Sequence, residues 1–177
     1  MRLLIILLLI SQSIFAQKYF TRTGATEFKA SVKAFEPVQA TNNSTSAILT
    51  NDGQIAAQLF ISAFQFRLAL MQEHFNENYM DSAEFPKATF KGKIENIIVS
   101  DLENSKEVLI KGILTVRGIE KKIETKGTLS KIGDKIKLVS DFVVLPSDFN
   151  IEIPSLIRRK IAREVTINLN YDFTKKI

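Results

Sequence analysis

The 177-residue chain contains no cysteine, no tryptophan and a single histidine, His74. Without cysteine there are neither disulfides nor thiol chemistry, so packing and hydrogen bonding must supply the stability of the fold. One histidine cannot build a typical zinc site, and any catalytic triad or histidine relay would have to pass through His74. These absences argue against thiol enzymes and against most histidine-based metal sites.

Motifs for enzyme chemistry are also missing. The sequence has no glycine-rich phosphate loop before a helix and no serine in a glycine-flanked nucleophile elbow. Asp148 and Glu152 form a spaced carboxylate pair, but such pairs occur widely without function. We therefore predict that the protein is not an enzyme and has no catalytic residue, no metal site and no cofactor. An enzyme that uses His74 as its acid or base is kept as an alternative.

Charge of one sign is not concentrated anywhere for long. The formal net charge is +5, and lysine and arginine alternate with glutamate and aspartate along most of the chain. The densest basic cluster contains Arg158, Arg159, Lys160 and Arg163, and Glu164 follows it directly. A nucleic-acid-binding protein would present a larger basic face with stacking aromatics. We predict no nucleic-acid partner and at most peripheral contact with a membrane surface.

The longest hydrophobic run lies at the N-terminus. Residues 1–16, MRLLIILLLISQSIFA, place Arg2 before a short apolar stretch and end in small and polar residues. This pattern is typical of a secretory signal peptide, and the apolar stretch is shorter than the roughly 20 residues that a membrane-spanning helix needs. We predict cleavage after Ala16, a mature domain of residues 17–177, and a periplasmic or secreted protein.

Hydrophobic residues alternate with polar ones from about residue 87 to the C-terminus. This period of two is typical of β-strands with one dry and one wet face. Short polar turns such as residues 117–118 and 132–134 favour antiparallel hairpins. The interior glycines Gly92, Gly112 and Gly127 suggest the bends or close approaches that barrels require. We predict a mostly antiparallel meander for this half.

The first half is less regular. Strands are predicted near residues 19–23, 25–34, 45–51 and 53–61, and the polar stretch 39–46 is predicted to turn a corner. Residues 64–80 break the strand rhythm, because Phe66, Leu70 and His74 recur at helical spacing. We predict one short helix there, with an apolar stripe on the sheet or across a barrel mouth.

The aromatic residues are mainly phenylalanine: 13, against 3 tyrosines. Phenylalanine has no polar group to keep in water, so these rings favour dry places. They predict either an ordinary core or the lining of a dry cavity.

Three segments together resemble the YceI-like family. They are EHFNENYMDSAEFPKATFKGKI at residues 73–94, GILTVRGIEKKIETKGTL at 112–129 and PSDFNIEIP at 146–154. The family pattern has a histidine near a helix end, a G-x-L-T-x-R-G hairpin and an Asp-Phe-Gly-Ile segment. This chain has Glu73 where aspartate is common and Asn150 where glycine is usual. Asparagine tolerates unusual backbone angles, so the second difference is mild.

The resemblance implies an all-β fold: an eight-stranded, antiparallel, lipocalin-like barrel with one short helix at about residues 64–80. It implies an exported protein that holds a long isoprenoid chain, either a polyprenyl lipid or an isoprenoid quinone, for carriage or storage. Eight strands enclose room for about one slender ligand. From the alternation, the predicted hydrophobic pocket contains Phe28, Phe60, Phe66, Leu70, Phe90, Leu114, Phe142 and Phe149. A polar mouth is predicted at His74, Arg67 and Arg117.

One alternative of another class stays open at this point. A structural or stress-response interaction protein could have the same barrel with its interior filled by side chains and no ligand. The phenylalanines would then all be core residues. The sequence also leaves a homodimer open.

Overall fold

The computed structural model describes residues 17–31, 37–155 and 161–175. The predicted signal peptide, residues 1–16, and most of the basic cluster, residues 158–160, lie outside the described residues. In the described ranges, no helix has both the length and the apolar character needed to cross a membrane.

The described part of the chain is mostly strand, as the period-two pattern predicts. Its strands are β1 (Lys18–Ser31), β2 (Gln39–Thr50), β3 (Gln54–Phe60), β4 (Gln65–Phe66), β5 (Lys87–Ile94), β6 (Lys106–Val116), β7 (Ile119–Ile132), β8 (Lys135–Val144) and β9 (Ile161–Lys175).

Eight of these strands form a closed antiparallel barrel. Their order is β1-β9-β8-β7-β6-β5-β3-β2, and pairing of β1 with β2 closes the ring. The two-residue strand β4 adds to β2 at the pair Ala40 and Phe66. This architecture confirms the all-β, eight-stranded barrel. Closure also removes the unpaired edges that an open sheet would expose.

One end of the barrel is sealed. Here the hydrogen-bonded ladder runs around all eight strands, and the connection between β5 and β6 folds across the opening. Ile97, Val99 and Leu102 of that connection are buried, and Val99 N–H donates to the carbonyl of Asn51 at 2.9 Å. They join a dry core whose centre is Phe173, which is fully buried. We call this the closed end.

At the opposite end, which we call the mouth, the ladder divides at two places. Pairing of β2 with β3 stops at Ser46 and Gln58, and pairing of β7 with β8 stops at Gly127 and Ser140. Among the described residues, the mouth half of the barrel therefore consists of two four-stranded sheets. One contains β8, β9, β1 and β2, and the other contains β3, β5, β6 and β7.

Side chains bridge both divisions where backbone pairing ends. Asn42 Nδ2 donates to the carbonyl of Phe60 at 2.9 Å between β2 and β3. Between β7 and β8, Ser140 Oγ donates to Lys126 O at 2.7 Å and Thr125 Oγ1 donates to Asp141 O at 2.8 Å. These bonds satisfy carbonyls near the points where backbone pairing ends, which lowers the cost of separating the strands.

Two connections cover the divisions. A 3-10 turn (Ile61–Ala63) and β4 occupy the side of β2 that β3 leaves. Helix α1 (Ala69–His74) follows and continues as a π-helical turn (Phe75–Tyr79). The helix therefore begins five residues later than the predicted start at residue 64, because Phe66 is extended and pairs with β2. We call residues 69–79 the lid.

The second connection, residues 145–151, lies against β7, and we call it the strap. It contains a 3-10 turn (Pro146–Phe149) and ends that turn at Asn150, which has φ 53° and ψ 36°. This left-handed conformation explains why glycine or asparagine suits the position. Arg117 Nη1 donates to Asn150 O, and Lys121 Nζ lies 3.5 Å from Asp148 Oδ1.

In the first half of the chain, the structure corrects two predictions made from the sequence. The stretch 39–46 is not a corner but the beginning of β2. The two strands predicted at 19–23 and 25–34 are one strand, β1, which reaches Ser31; residues 32–36 lie outside the described residues. Register shifts near Gly24 interrupt the alternation of β1. Such bulges place two successive residues on one side, so period two fails there.

Candidate functional site

A cavity of about 470 Å³ lies between the two four-stranded sheets. All eight barrel strands, the lid and the strap contribute to its wall. Most lining side chains are aliphatic or aromatic, and the described lining contains no Asp, Glu, Lys or Arg. The cavity exists because the sheets separate toward the mouth while the closed end stays packed. Its size falls in the range of roughly 300–1,000 Å³ that is common for small-molecule pockets.

Six of the eight side chains predicted for a hydrophobic pocket lie in this wall. They come from strands β1, β4, β5, β6 and β8 and from the strap. They are Phe28, Phe66, Phe90, Leu114, Phe142 and Phe149. Their contact with a ligand stays a prediction, but the structure brings them around one space.

Phe60 and Leu70 lie elsewhere. Phe60 is 50% exposed on the outer face of β3, where Lys87 Nζ lies 5.0 Å from the centre of its ring. Its neighbour Leu59 faces the cavity instead, because adjacent residues of a strand point to opposite faces. Leu70 is 61% exposed on the lid.

The lid turns a different face inward from the one predicted. Met71, Phe75 and Tyr79, spaced four residues apart, line the cavity together with His74. The predicted inner stripe of Phe66, Leu70 and His74 begins before the helix does, because Phe66 lies in β4 and the helix starts at Ala69. The spacing of Met71, Phe75 and Tyr79 was present in the sequence and could have identified the inner face.

Aromatic rings close the mouth beneath the lid. The Phe28 ring stacks on Phe75 with centroids 5.2 Å apart and meets the Phe64 ring edge-on at 5.3 Å. The ring centroids of Phe66 and Phe75 are 5.0 Å apart. Such aromatic pairs add about 0.5–1.5 kcal/mol each beyond the burial of their area. The cluster therefore packs the lid onto the barrel through ring contacts.

The predicted polar mouth is only partly assembled. His74 lies in the cavity wall, but Arg67 and Arg117 do not. The guanidinium of Arg117 holds the strap through Asn150 O, and its Nε is buried without a hydrogen-bond partner. Across the described residues, no three His, Asp or Glu side chains gather closely enough to hold a metal ion.

Two paired glycines make room for the ring of Phe90. Gly92 of β5 is the register partner of Gly112 of β6. A methyl group at Gly92 would lie 2.7 Å from Phe90 Cζ, which is closer than real contacts allow. Any side chain at this pair would push the ring into the cavity or the strands apart. The predicted close approach at Gly92 and Gly112 therefore involves both the Phe90 ring and the facing backbone, because a methyl group at Gly92 would also collide with Lys111 O and one at Gly112 with Lys91 O.

Sequence reasoning missed a cluster of hydroxyls where the cavity meets the closed end. Thr26 Oγ1 lies 2.9 Å from Thr45 Oγ1 and 2.8 Å from the Tyr171 hydroxyl. All three residues are buried, and all three line the cavity. We call Thr26, Thr45 and Tyr171 the floor hydroxyls. The alternation of β9 puts Tyr171 on the same face as Phe173, but alternation cannot show that two distant threonines meet its hydroxyl.

Comparison with known proteins fits this architecture. A family model for the YceI-like domain matches residues 17–173. The chain belongs to the YceI-like family. Among curated proteins no sequence match was found.

Solved structures of YceI-like proteins share the fold. A polyisoprenoid binding domain from Saccharophagus degradans, implicated in plant cell wall breakdown, superposes with a TM-score of 0.80 at 13% identity, covering 91% of this chain and 99% of that one. Burkholderia cenocepacia BcnA gives a TM-score of 0.71 at 16% identity over 85% and 96% of the two chains. The Campylobacter jejuni YCEI protein gives 0.61 at 16% identity over 81% and 87%.

The buried hydroxyl of Tyr171 predicts a loss of stability at alkaline pH. Burial raises the pKa of Tyr171 above its ordinary value of 10.0. As the pH rises past 10, the unfolded chain releases this proton first, so stability falls. Phenylalanine at this position does not ionise. We expect wild type to be about 0.5–1.5 kcal/mol more stable than Tyr171→Phe at neutral pH, and this difference to narrow above pH 10.

Urea unfolding followed by circular dichroism across this pH range measures the difference. Thr26→Val is the matched control, since it loses the same hydrogen bond but keeps the buried phenol. The difference in unfolding free energy between wild type and Thr26→Val should not narrow above pH 10. A gap between wild type and Tyr171→Phe that stays constant to pH 11 and beyond would contradict the assignment.

Proposed function

We propose that this protein binds a long isoprenoid chain, a polyprenyl lipid or an isoprenoid quinone, inside the barrel. The observation that carries the proposal is the apolar cavity of about 470 Å³ between the two sheets. Burial of hydrocarbon there supplies a driving force of roughly 25 cal/mol per Å² without any catalytic group. The related Saccharophagus degradans domain is described as polyisoprenoid-binding, which supports the same ligand class here.

The cavity also separates this proposal from its rivals. A barrel filled by its own side chains would leave only small voids, since protein interiors pack as densely as organic crystals. An enzyme acting on the bound lipid needs an acid and a base at the reacting atoms. The described lining offers His74 but no carboxylate beside it. These observations favour binding over catalysis and over a purely structural role.

We extend the proposal to export and carriage. A carrier of a water-insoluble chain is needed in an aqueous space, and the signal-peptide pattern of residues 1–16 would deliver it to the periplasm or the outside. Removal of that segment would free the barrel from the membrane. Membrane contact would then be peripheral and transient.

The ligand would pass between β7 and β8 rather than along the barrel axis. At the closed end all eight strands pair and hydrophobic side chains fill the interior. In the mouth half, where β7 divides from β8, the strap covers the cavity among the described residues, and Phe149 of the strap is 2% exposed. The strap is held by burial of Phe149, by Arg117 and by a half-exposed ion pair, Lys121 with Asp148. The exposed pair contributes at most about 1 kcal/mol, and hydrocarbon of the ligand would replace the contacts of Phe149 in the cavity, so the strap can move without unfolding the barrel.

The first expected result concerns the natural protein. Native mass spectrometry of the protein purified from its own host should show a mature chain that begins at Gln17 with an isoprenoid released on activation. The same spectrum tests both export and ligand. A ligand-free mass throughout would contradict isoprenoid binding, and an intact N-terminus would contradict a diffusing carrier.

The second expected result concerns the cavity. Ala57 of β3 lines the cavity, whereas its neighbour Ala56 is exposed on the outer face. Ala57→Phe should fill part of the space and weaken binding of a fluorescent polyprenyl probe at least tenfold, or about 1.4 kcal/mol. Ala56→Phe adds the same ring outside and should leave the affinity unchanged. Equal affinities of the two variants would place the ligand elsewhere.

The third expected result concerns the strap. The chain has no cysteine, so two introduced thiols are the only ones present. Lys121→Cys with Asp148→Cys, joined by a short cleavable thiol cross-linker, should slow lipid exchange with vesicles, and cleavage of the linker should restore it. Lys111→Cys with Glu124→Cys is the control, because this ion pair joins β6 and β7 where the ladder is already continuous. Unchanged exchange in the cross-linked strap variant would exclude passage between β7 and β8.

A further inference from the structure

At its inner end the cavity has a cluster of buried hydroxyls that the binding of hydrocarbon does not explain. The floor hydroxyls, Thr26, Thr45 and Tyr171, lie where the cavity meets the closed end, next to Ile110 and Leu138 of the apolar wall. Each of the three is at least 95% buried. An isoprenoid tail has no hydrogen-bonding group that could use them.

The local backbone brings these hydroxyls together. The register between β1 and β2 shifts on both sides of Gly24, so that Gly24 pairs with Thr45 and Thr26 pairs with Asn42. As a result, the side chains of Thr26 and Thr45 face inward at the same level of the barrel. A methyl group at Gly24 would lie 2.6 Å from Tyr171 Cδ1, so the missing side chain creates the space for the phenol ring. The cluster therefore depends on a bulge and a glycine rather than on one polar residue.

The hydrogen-bond count leaves capacity for a ligand. Three hydroxyls carry three hydrogens and six lone pairs in total. The two hydrogen bonds at 2.9 and 2.8 Å use two of the hydrogens and two of the lone pairs. Thr45 also interacts with the Tyr171 hydroxyl, and burial keeps that phenol neutral by raising its pKa. With the third hydrogen in the contact between Thr45 and Tyr171, three lone pairs remain for a ligand hydroxyl, and rotation of that hydrogen out of the contact lets it donate to a ligand carbonyl.

The charge at this end limits what that oxygen can belong to. The described lining of the cavity contains no Lys or Arg, and His74 stands on the lid at the opposite end. A phosphate or diphosphate at the floor would be a buried anion without a cation, which is strongly unfavourable. A neutral hydroxyl or quinone carbonyl has no such penalty and finds donors and acceptors in place.

We propose that the floor hydroxyls are a subsite for a neutral oxygen-bearing group of the bound isoprenoid, such as a prenol hydroxyl or a quinone carbonyl. This inference rests on the proposed function. It reverses the orientation implied by a polar mouth, since the oxygenated end lies deep in the barrel and the hydrocarbon tail extends toward the lid. Tyr171 and Thr26 contact the oxygen, and Thr45 positions Thr26.

The test compares two probes in three proteins. One probe is a long-chain prenol, and the other is the isoprenoid hydrocarbon with the same skeleton and no oxygen. The proteins are wild type, Tyr171→Phe and Tyr79→Phe. Tyr79 is the matched control, because it also lines the cavity but lies on the lid. The ratio of the two dissociation constants in each protein cancels the different solubilities of the probes.

We expect Tyr171→Phe to weaken prenol binding relative to the hydrocarbon by roughly threefold to tenfold, the value of one lost hydrogen bond. Tyr79→Phe should leave the ratio as in wild type. Unchanged hydrocarbon affinity shows that the cavity is intact in each variant. Thr26→Val should give the same shift and replaces Tyr171→Phe if that variant does not fold.

Two outcomes would overturn the subsite. A ratio unchanged in both Tyr171→Phe and Thr26→Val would mean that the ligand oxygen does not reach the floor. A shift in Tyr79→Phe alone would place that oxygen under the lid. In both cases hydrocarbon binding would leave the proposed function standing. If neither probe binds wild type, the proposed function is wrong and the subsite is lost with it.

Discussion

The structure depends on where the backbone ladder of the barrel is complete and where it is not. At the closed end every strand has two neighbours, so the peptide groups satisfy one another and the interior packs dry. Toward the mouth, β2 leaves β3 and β7 leaves β8, so two sheets diverge around an unfilled space. Such a division is tolerable only if the freed peptide groups find partners. Asn42, Ser140 and Thr125 bond to main-chain carbonyls at the two points of divergence, and the lid and the strap cover the strand sides beyond them.

The sequence predicted the strands best where one face is uniformly dry. In β7 and β8, and in the part of β9 from Leu169 to Thr174, the residues that alternate in the sequence also alternate in burial. The short turns correctly indicated antiparallel neighbours. The prediction failed at residues 39–46 because polar side chains face inward there. Asn42 is fully buried, and its partner is a carbonyl 18 residues away. A polar residue that is satisfied by a distant contact resembles a loop residue until the contact is known.

The candidate site was also predictable where alternation holds, and not where contacts between distant residues decide the arrangement. The predicted pocket residues on β5, β6 and β8, and Phe149 of the strap, followed from alternation, and the structure places all of them in the cavity wall. Phe60 was predicted to face the cavity, but in β3 the inward position belongs to its neighbour Leu59. Both faces of this seven-residue strand carry hydrophobic residues, so the sequence does not show which face points inward. Arg117 looked like a mouth cation, yet its guanidinium is occupied by the strap carbonyl of Asn150. The floor hydroxyls could not be predicted, since Thr26, Thr45 and Tyr171 meet only through the bulge near Gly24.

Stability alone does not account for the floor hydroxyls. Replacing a mutually bonded set of buried polar groups by apolar groups of the same shape is often neutral or stabilising, because each hydroxyl gives up water for one partner. Valines at positions 26 and 45 and phenylalanine at 171 would have nearly the same volumes and would continue the apolar wall. Retaining three hydroxyls there instead keeps a phenol buried at the cost of a raised pKa. In a cavity whose wall is mostly hydrocarbon, the partner that gains from this arrangement is a molecule that enters with an oxygen at its leading end.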